Sequence, residues 1–444
     1  MNSGDTIVAL STPPGRGALA LIRASGPRVP DLARRLSGEA LLPSRTACLR
    51  TLHDAEGRTL DQGVLTFYPA PASATGEDVL EISCHGAPAV IEALLFRLRS
   101  LGARPAEPGE FSRRAFEAGK MDLAQAQAVA DLIAATTGRA ARCAARVLKG
   151  DISREIASIL QEIVDIRVYI EGALDFPDED VDWLAESDFG SRLSGLSGQV
   201  EQLINRARQG RTVGVGIRLA LLGPPNVGKS SLLNHFTGAD TAIVTAQPGT
   251  TRDVLTASFQ IDGIPLILAD TAGIRPAEAE AEVEGIRRSW RAAEEADLIL
   301  QVFDAHAGWS EADEEVKNRL PECPALVLAN KCDLLADGVP ASGPEDAIHL
   351  SAKLGHGVEA LKEQIIRLLE LESALEEDEF MAHQRQIDAL LETGEALKRA
   401  AQAQGGELIA EELRLAQEAL GALTGEFTAD DLLGEIFGRF CIGK

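Results

Sequence analysis

The sequence predicts a multidomain fold, with an α+β domain at the N-terminus and then an all-α helical domain into which an α/β domain is inserted. Three observations predict it. With 444 residues, the chain is longer than one ordinary domain. Near Met121, short apolar runs between turn-rich stretches give way to alanine-rich sequence with helical spacing. Near Ile217, continuous apolar runs begin, which are typical of strands buried on both faces of a parallel sheet.

The predicted domain boundaries follow these changes in the sequence. Residues 1–120 form the α+β domain, and residues 121–215 form the first half of the helical domain. Strands and helices alternate through residues 216–371, which form the inserted α/β domain. Residues 372–444 are helical and amphipathic again, and they complete the helical domain.

Charge and cysteine usage narrow the class of protein. The formal net charge of -25 argues against broad electrostatic binding to nucleic acid, and nearly all of this acidity lies after Lys120. An anion site outside a nucleotide pocket is therefore favoured in the first 120 residues.

The six cysteines form no C-x-x-C pair, so neither a zinc site nor a disulfide framework is predicted. The start MNSGDTIVAL has no basic segment and no stretch is long enough to span a bilayer, so we expect a cytoplasmic protein with no membrane contact.

A phosphate-binding loop lies between a predicted strand and a predicted helix. Residues 223–230 match G-x-x-x-x-G-K-[ST], after the strand IRLALL and before the helix SLLNHF. The glycines let backbone N–H groups point at a phosphate chain, Lys229 adds a positive charge near the β and γ phosphates, and Ser230 can ligate magnesium (Mg2+). The expected contacts are Gly223, Asn226, Val227, Gly228, Lys229, Ser230 and Ser231.

Two downstream segments are typical of switch regions. PGTTRD places two threonines in a loop, where one hydroxyl can complete the Mg2+ shell when a γ phosphate is present. Asp-Thr-Ala-Gly follows the strand PLILAD, and its Asp can hold the water shell of Mg2+ while its Gly donates a backbone N–H to the γ phosphate. The residues concerned are Gly249, Thr250, Thr251, Asp270, Thr271, Ala272 and Gly273.

Two further segments indicate guanine as the base. The segment 330–333 follows the strand ALVLA, and a carboxylate there can accept hydrogen bonds from both the ring N–H and the exocyclic amine of guanine. Residues 351–353 occupy the place where a backbone N–H would meet the guanine carbonyl. The expected contacts are Asn330, Lys331, Asp333, Ser351, Ala352 and Lys353. Five elements in this order predict a P-loop GTPase (G) domain that binds GTP.

The water-orienting glutamine of Ras-like enzymes is absent. Ile274 follows Asp-Thr-Ala-Gly, where those enzymes carry that glutamine, so hydrolysis needs another group. The acidic residues that follow either supply it or form a solvated charged face, and their spacing alone favours the solvated face. They are Glu278, Glu280, Glu282 and Glu284.

These motifs together resemble the MnmE (TrmE) family of tRNA modification GTPases. The similarity covers the whole chain, through DTIVALSTPPGRGALALIR, TGEDVLE, PGEFSRRAFEAGKMDLAQAQAVADLI, DFPDED, GPPNVGKSSLLN, PGTTRDV, DTAGIR and GEFTADDLLGEIFGRFCIGK. The resemblance implies an N-terminal tetrahydrofolate-binding domain that mediates dimerisation, followed by a helical domain with the G domain inserted. The boundaries drawn above agree with this order of domains.

The resemblance also implies an activity and its partners. A homodimer would act with an FAD-containing partner of the MnmG (GidA) type to add a carboxymethylaminomethyl-type group to carbon 5 of the wobble uridine in tRNA. The one-carbon unit would come from 5-formyltetrahydrofolate or another tetrahydrofolate. By motif match, the folate contacts fall on Arg23, Glu81, Lys120 and Lys444. Their charges suit a glutamate tail, a formyl oxygen and the amino-pyrimidine edge of a pterin.

The resemblance also implies which groups take the catalytic role of the missing glutamine. The family's G domains dimerise across the nucleotides and use potassium (K+) where other GTPases use an arginine finger. The implied K+ ligands are Asn226, Thr245, Gln247 and Thr250, while Ser230 and Thr251 belong to Mg2+. The catalytic glutamate, counted back from Gly285-Ile286, falls on Glu282, with Glu280 and Glu284 as neighbouring registers; Lys229 and Asn226 complete the catalytic set.

The sequence leaves two alternative functions and the roles of two residues undecided. A GTPase that binds ribosomal RNA during ribosome assembly would have a similar G domain, but such proteins normally carry a basic RNA-binding module, and none appears in the sequence. A folate-binding regulator with no modifying role is the second rival. His85 is either functional or a core or turn histidine, and Cys441 is either reactive or an inert thiol.

Overall fold

The computed structural model confirms the predicted fold class, with an N-terminal α+β domain, a helical domain and an α/β domain that carries a P-loop. It describes residues 4–38, 42–175, 189–239, 257–268, 287, 289–335, 343–369, 378–425, 430–438, 440 and 442–443. By their contacts the residues divide into two compact units. The first comprises Met1–Ala130, Leu148–Asp178 and Gln404–Lys444, and the second comprises Asp131–Val147 and Glu179–Ala403.

A six-stranded sheet in the order β3-β4-β5-β2-β1-β6 forms the base of the first unit. Its strands are β1 (Ile7–Leu10), β2 (Leu19–Ser25), β3 (Cys48–His53), β4 (Thr59–Tyr68), β5 (Val79–His85) and β6 (Arg104–Pro105). Neighbouring strands run antiparallel, except that β1 and β6 run parallel.

Two helices cover one face of this sheet. Helices α1 (Val29–Ser37) and α2 (Pro88–Ser100) share a core with the strands, which contains Leu32, Leu94 and Ile82. Side chains alternate along a strand, so the residues next to Ile82 point to the opposite face. Glu81 on β5 is one of them, and it lies on the face that this core does not use.

The remaining helices of the first unit are α3 (Glu110–Glu117), α4 (Leu123–Ala134, to Ala130 in this unit), α6 (Asp151–Asp175), α12 (Gly406–Thr424) and α13 (Asp430–Gly438). Helix α6 packs along α12. Six buried isoleucines recur along α6 at intervals of three and four residues, at positions 152, 156, 159, 163, 166 and 170. This spacing places them on one stripe, which explains why the segment forms a helix with a buried face.

The second unit combines helices with a second six-stranded sheet in the order β12-β11-β10-β7-β9-β8. The strands are β7 (Ile217–Leu222), β8 (Ala257–Ile261), β9 (Ile264–Leu268), β10 (Leu298–Asp304), β11 (Ala325–Asn330) and β12 (Ile348–His349). The helices are α5 (Gly138–Leu148, to Val147 in this unit), α7 (Phe189–Val215), α8 (Lys229–Ala239), α9 (Glu311–Asn318), α10 (Val358–Leu368) and α11 (Gln384–Gln402).

All strand pairs of the second sheet are parallel except β8 with β9. Strand β10 is buried over its first six residues, as expected for a central parallel strand covered on both faces. The carboxyl ends of parallel strands meet at one edge, so the segments after β7, β10 and β11 gather there. None of the helices in the described ranges is long and apolar enough to cross a membrane.

Candidate functional site

The loop after β7 adopts a conformation that depends on left-handed backbone angles. Gly223, Asn226 and Gly228 have φ values of 143°, 63° and 98°. A Cβ added at Gly223 would lie 2.1 Å from the carbonyl oxygen of Val302 on β10, so only glycine fits between the loop and this strand. Asparagine tolerates the left-handed region better than most residues, which suits Asn226 to its position. The sequence motif therefore determines a loop that wraps tightly over the edge of the sheet.

Lys229 begins helix α8 and folds back over this loop. Its Nζ lies 2.7 Å from the carbonyl oxygens of both Gly223 and Pro224. Burial lowers the pKa of the Lys229 ammonium, because the charged form loses solvation. Ser230 and Ser231 lie in the first turn of the same helix. A cation and a helix N-terminus at the open end of the loop make a site suited to an anion.

Asn330 joins the loop to the other end of the site. It ends strand β11 and is 2% exposed. Its Nδ2 donates to the carbonyl oxygen of Val227 at 2.8 Å, and its Oδ1 accepts from the backbone N–H of Ala352 at 2.9 Å. Sequence reasoning predicted Asn330 as a nucleotide contact, and the structure adds that both polar atoms of its side chain hold neighbouring loops. A pair of buried hydrogen bonds of this kind is costly to lose.

Lys331 has a partner that the sequence analysis did not identify. Its Nζ lies 2.7 Å from Asp304 Oδ2, at the carboxyl end of β10. Burial raises the pKa of Asp304, but hydrogen bonds from Lys331 and from backbone N–H groups lower it, and the net result is a lowered pKa. Asp304 could have been predicted as a site residue from the sequence, because it stands at the carboxyl end of a buried parallel strand. The pair fixes Lys331, whose own φ of 65° is left-handed.

Asp333 presents an exposed carboxylate beside the loop at 351–353. The hydroxyl of the buried Ser351 donates to Asp333 Oδ1 at 2.6 Å and accepts from the backbone N–H of Leu354 at 3.2 Å. The hydroxyl therefore orients the carboxylate, while Lys353 is exposed in the same loop. An oriented, exposed carboxylate at the sheet edge is suited to accept hydrogen bonds from a ligand with paired donors.

Several predicted residues lie outside the described residues and stay predictions. They are Thr245, Gln247, Gly249, Thr250, Thr251, Asp270, Thr271, Ala272, Gly273, Ile274, Glu278, Glu280, Glu282, Glu284, Cys441 and Lys444. Within the described ranges, no group of three or more His, Cys, Asp or Glu side chains is arranged to hold a metal ion. The five cysteines that the structure describes are free thiols.

Arg23 and Glu81 face each other across strands β2 and β5 of the first sheet. Arg23 Nη2 lies 2.7 Å from Glu81 Oε1, and the two side chains are 25% and 24% exposed. Tyr68 donates to the other carboxylate oxygen at 3.4 Å, and the guanidinium of Arg23 lies 5.9 Å from the ring centre of Phe111. The structure therefore shows a half-buried pair on the sheet face opposite α1 and α2, next to Phe111 of α3.

Lys120 and the chain end lie in the same unit as this pair. A Cβ added at Gly76, in the turn before β5, would lie 3.5 Å from Lys120 Cε, so the lysine stem passes over that turn. At the chain end, Ser11 Oγ donates to the carbonyl oxygen of Gly443 at 2.9 Å, and Ile442 forms a β-bridge with Pro108. The residue before Lys444 is therefore held next to strand β1.

His85 is exposed at the end of β5, so of the two structural alternatives, a core or a turn histidine, the core histidine is excluded. Its side chain is 68% exposed, and its Nδ1 lies 2.7 Å from Asp61 Oδ1. Burial raises the pKa of Asp61, but hydrogen bonds from the backbone and ring of His85 lower it, and the net result is a lowered pKa. No sequence motif points to Asp61, because its partner lies 24 residues away along the chain.

Comparisons with known proteins cover the whole chain. The family model for the MnmE helical domain matches residues 123–441, and the model for the GTP-binding protein TrmE N-terminus matches residues 6–120. A protein from Nitrosomonas europaea is 47% identical over 454 residues, covering 100% of both chains. Another from Dechloromonas aromatica is 48% identical over 448 residues, covering 99% of each, and one from Azoarcus sp. is 48% identical over 447 residues, covering 99% of this chain and 98% of the other. All three are named tRNA modification GTPase MnmE.

Proposed function

The chain belongs to the MnmE family of tRNA modification GTPases, and on this premise we propose that it couples GTP hydrolysis to modification of carbon 5 of the tRNA wobble uridine. The proposed reaction adds a carboxymethylaminomethyl-type group, with an FAD-containing MnmG (GidA) type protein as partner and a homodimer of this chain as the active form. The observation that carries the proposal is the match of both flanking domains together with the nucleotide loops. A G domain alone would not distinguish this function from others.

The nucleotide loops support the proposed binding of GTP with Mg2+. The phosphates would lie along the loop at 223–230, against Lys229 and the N-terminus of α8, and guanine would lie against Asp333. The loop fits a phosphate chain because its left-handed glycines bring backbone N–H groups to its surface. Ser230 and Thr251 would hold Mg2+, which supplies positive charge to the phosphate oxygens. Glu282 is the proposed group that orients the attacking water.

The ion pair on the sheet face opposite α1 and α2 supports the proposed folate site. Glu81 is held by Arg23 and Tyr68, so its carboxylate is oriented to accept from the amino-pyrimidine edge of a pterin. Lys120 and Lys444 would supply positive charge to a formyl oxygen or to the glutamate tail. The bound molecule would be 5-formyltetrahydrofolate or another tetrahydrofolate, which supplies the one-carbon unit.

Loss of this protein is expected to remove the modified wobble uridine from cellular tRNA. Nucleoside analysis of tRNA hydrolysates by mass spectrometry, with and without the gene, measures this directly. The two rival functions predict a different result, since neither a ribosome-assembly GTPase nor a folate-binding regulator contributes to the modified base. An unchanged nucleoside profile in the deletion strain would refute the proposed function.

Potassium is the proposed catalytic ion, with Asn226 as one ligand. Asn226→Gly removes the side-chain oxygen and leaves the left-handed backbone unstrained, so hydrolysis is expected to fall about 100-fold and to lose its preference for K+ over sodium. Asn226→Asp, which keeps an oxygen at the same place, is the control and should retain part of the preference. Steady-state GTPase rates in the two salts test this. Equal rates of the wild type in both salts would contradict the proposal.

A further inference from the structure

Arg114 connects three separate segments of the first unit. It lies on α3, and its side chain is 13% exposed. Its Nη2 lies 2.7 Å from Asp5 Oδ1 and 2.9 Å from Glu110 Oε1, while its Nη1 lies 2.9 Å from Glu77 Oε2. Asp5 precedes β1, and Glu77 lies in the turn that precedes β5. One guanidinium thus holds the start of β1, the turn before β5 and its own helix together.

Both positive charges of this ion-pair network are paired with carboxylates, so neither is available to a ligand. Arg104 on β6 forms a bidentate pair with Glu110, which is 4% exposed, and also contacts Asp5. Two guanidinium groups therefore face three carboxylates, those of Asp5, Glu77 and Glu110. Charged groups that satisfy one another around the buried Glu110 hold their elements in fixed positions. The network is suited to position other residues rather than to bind an anion itself.

The turn that Arg114 holds is also bonded to strand β2. The hydroxyl of Ser25, at the end of β2, donates to Glu77 Oε2 at 2.7 Å and lies 2.7 Å from Thr75 Oγ1. Ser25 is two residues from Arg23 along β2, and Glu77 is four residues before Glu81. The hydrogen bonds of Glu77 therefore hold the two strands that carry the Arg23 and Glu81 pair.

The same turn contacts the segment that follows α3. Gly76 has a φ of 80°, and a Cβ added there would lie 2.8 Å from the Cβ of Ala118 and 3.5 Å from Lys120 Cε. The absence of a side chain at Gly76 lets Ala118 approach the turn closely, and the stem of Lys120, two residues later, lies beside it. Arg114 stands six residues before Lys120, so the ion pair with Glu77 and the contact at Gly76 fix the same two segments against each other.

We propose that Arg114 and Glu77 are positioning residues of the folate site, which hold Lys120 in a fixed place relative to Arg23 and Glu81. The three proposed contacts stand on three elements, namely β2, β5 and the segment after α3. Glu77 accepts from Ser25 on β2 and lies two residues before β5, and its partner Arg114 lies on α3 itself. Fixing these elements before the ligand arrives removes an ordering cost from binding. This inference rests on the proposed folate function.

Two substitutions test the inference by different routes. Glu77→Gln keeps the size of the side chain and an oxygen for Ser25 but removes the charge that pairs with Arg114. Gly76→Ala leaves every charge in place, but its Cβ would lie 2.8 Å from the Cβ of Ala118 at a φ of 80°, so the turn and the segment that carries Lys120 must shift apart. Each is expected to weaken binding of 5-formyltetrahydrofolate to the full chain at least about tenfold by calorimetric titration, a change of about 1.4 kcal/mol. GTP affinity in the same preparations is expected to stay within about twofold, because the nucleotide loops belong to the other unit.

Arg113→Met is the matched control. Arg113 neighbours Arg114 on α3 and is 18% exposed, but it pairs with Glu117 within its own helix. Its substitution is expected to leave folate affinity within about twofold. Thermal unfolding of each variant, followed by circular dichroism, confirms that the compared chains are folded.

A double-substitution experiment separates positioning from general destabilisation. If Glu77 and Gly76 act through Lys120, their substitutions should add less than about twofold to the loss of folate affinity in a Lys120→Ala background. If the losses of folate affinity in the double variants were fully additive, the inference would be overturned. It would also be overturned if both single variants bound folate as the wild type does while Lys120→Ala bound it weakly. A wild-type chain that does not bind 5-formyltetrahydrofolate would overturn the folate function itself, and the inference with it.

Discussion

The substitution Asp333→Asn is expected to weaken GTP binding by about 100- to 1,000-fold, because one of the two hydrogen bonds to the charged acceptor, worth about 1.5–3 kcal/mol, is lost and the other loses its charged acceptor. Ser351 orients the exposed carboxylate through its hydroxyl at 2.6 Å, so the acceptor is set in place before the base arrives. In the variant, an amide NH2 group faces the exocyclic amine of guanine, and two donors meet. Titration with a fluorescent GTP analogue measures the change in Kd.

The same variant is expected to bind xanthosine triphosphate better than the wild type does. Xanthine carries a carbonyl where guanine carries the exocyclic amine, so the NH2 group of Asn gains an acceptor. Glu315→Gln on α9 is the control, because it removes an exposed carboxylate from a helix that carries none of the predicted nucleotide contacts. If Asp333→Asn bound GTP within about threefold of the wild type, Asp333 would not select the base.

Lys229→Met is expected to lower the rate of GTP hydrolysis at saturating nucleotide by about 100- to 1,000-fold, the usual effect of removing one charged group that stabilises a transition state. Nζ of Lys229 lies 2.7 Å from two loop carbonyls, and burial lowers the pKa of its ammonium. A phosphate oxygen compensates this buried charge better than neutral carbonyls do, and more so as charge develops between the phosphates. Single-turnover hydrolysis measures the chemical step.

Methionine keeps the length and apolar stem of the lysine, so the loss reports the charge rather than the packing. Lys362→Met on α10 is the control, since that lysine has a side chain 30% exposed and pairs with Glu359 on its own helix. Hydrolysis by Lys229→Met within about tenfold of the wild type would show that another cation carries the phosphate charge.

Local motifs made much of the candidate site predictable. The loop at 223–230 depends on glycines at positions whose φ is left-handed, and such a requirement is visible in the residues themselves. The fold class was predicted for a similar reason, since the buried run of β10 and the isoleucine stripe of α6 are periodic patterns within one element. The switch residues and Glu282 lie outside the described residues, and their roles stay predictions.

Partners that are distant along the chain were not predictable. Asn330 bonds Val227 across 103 residues, and Arg114 bonds Asp5 across 109 residues. A single sequence carries no signal that pairs such residues, because their meeting depends on how the strands are ordered in each sheet. The role of Glu77 became visible only with that order.

By itself, then, the sequence determined which elements form and which chemical groups the nucleotide loops carry, because helix stripes, buried strands and glycine turns depend on residues close together in the chain. Only the tertiary structure decided which groups face one another. It placed Arg23 against Glu81 across β2 and β5, and it brought the turn before β5 against Arg114. The physical reason is that an ion pair depends on a distance of a few ångströms in space, and sheet order rather than chain order sets that distance.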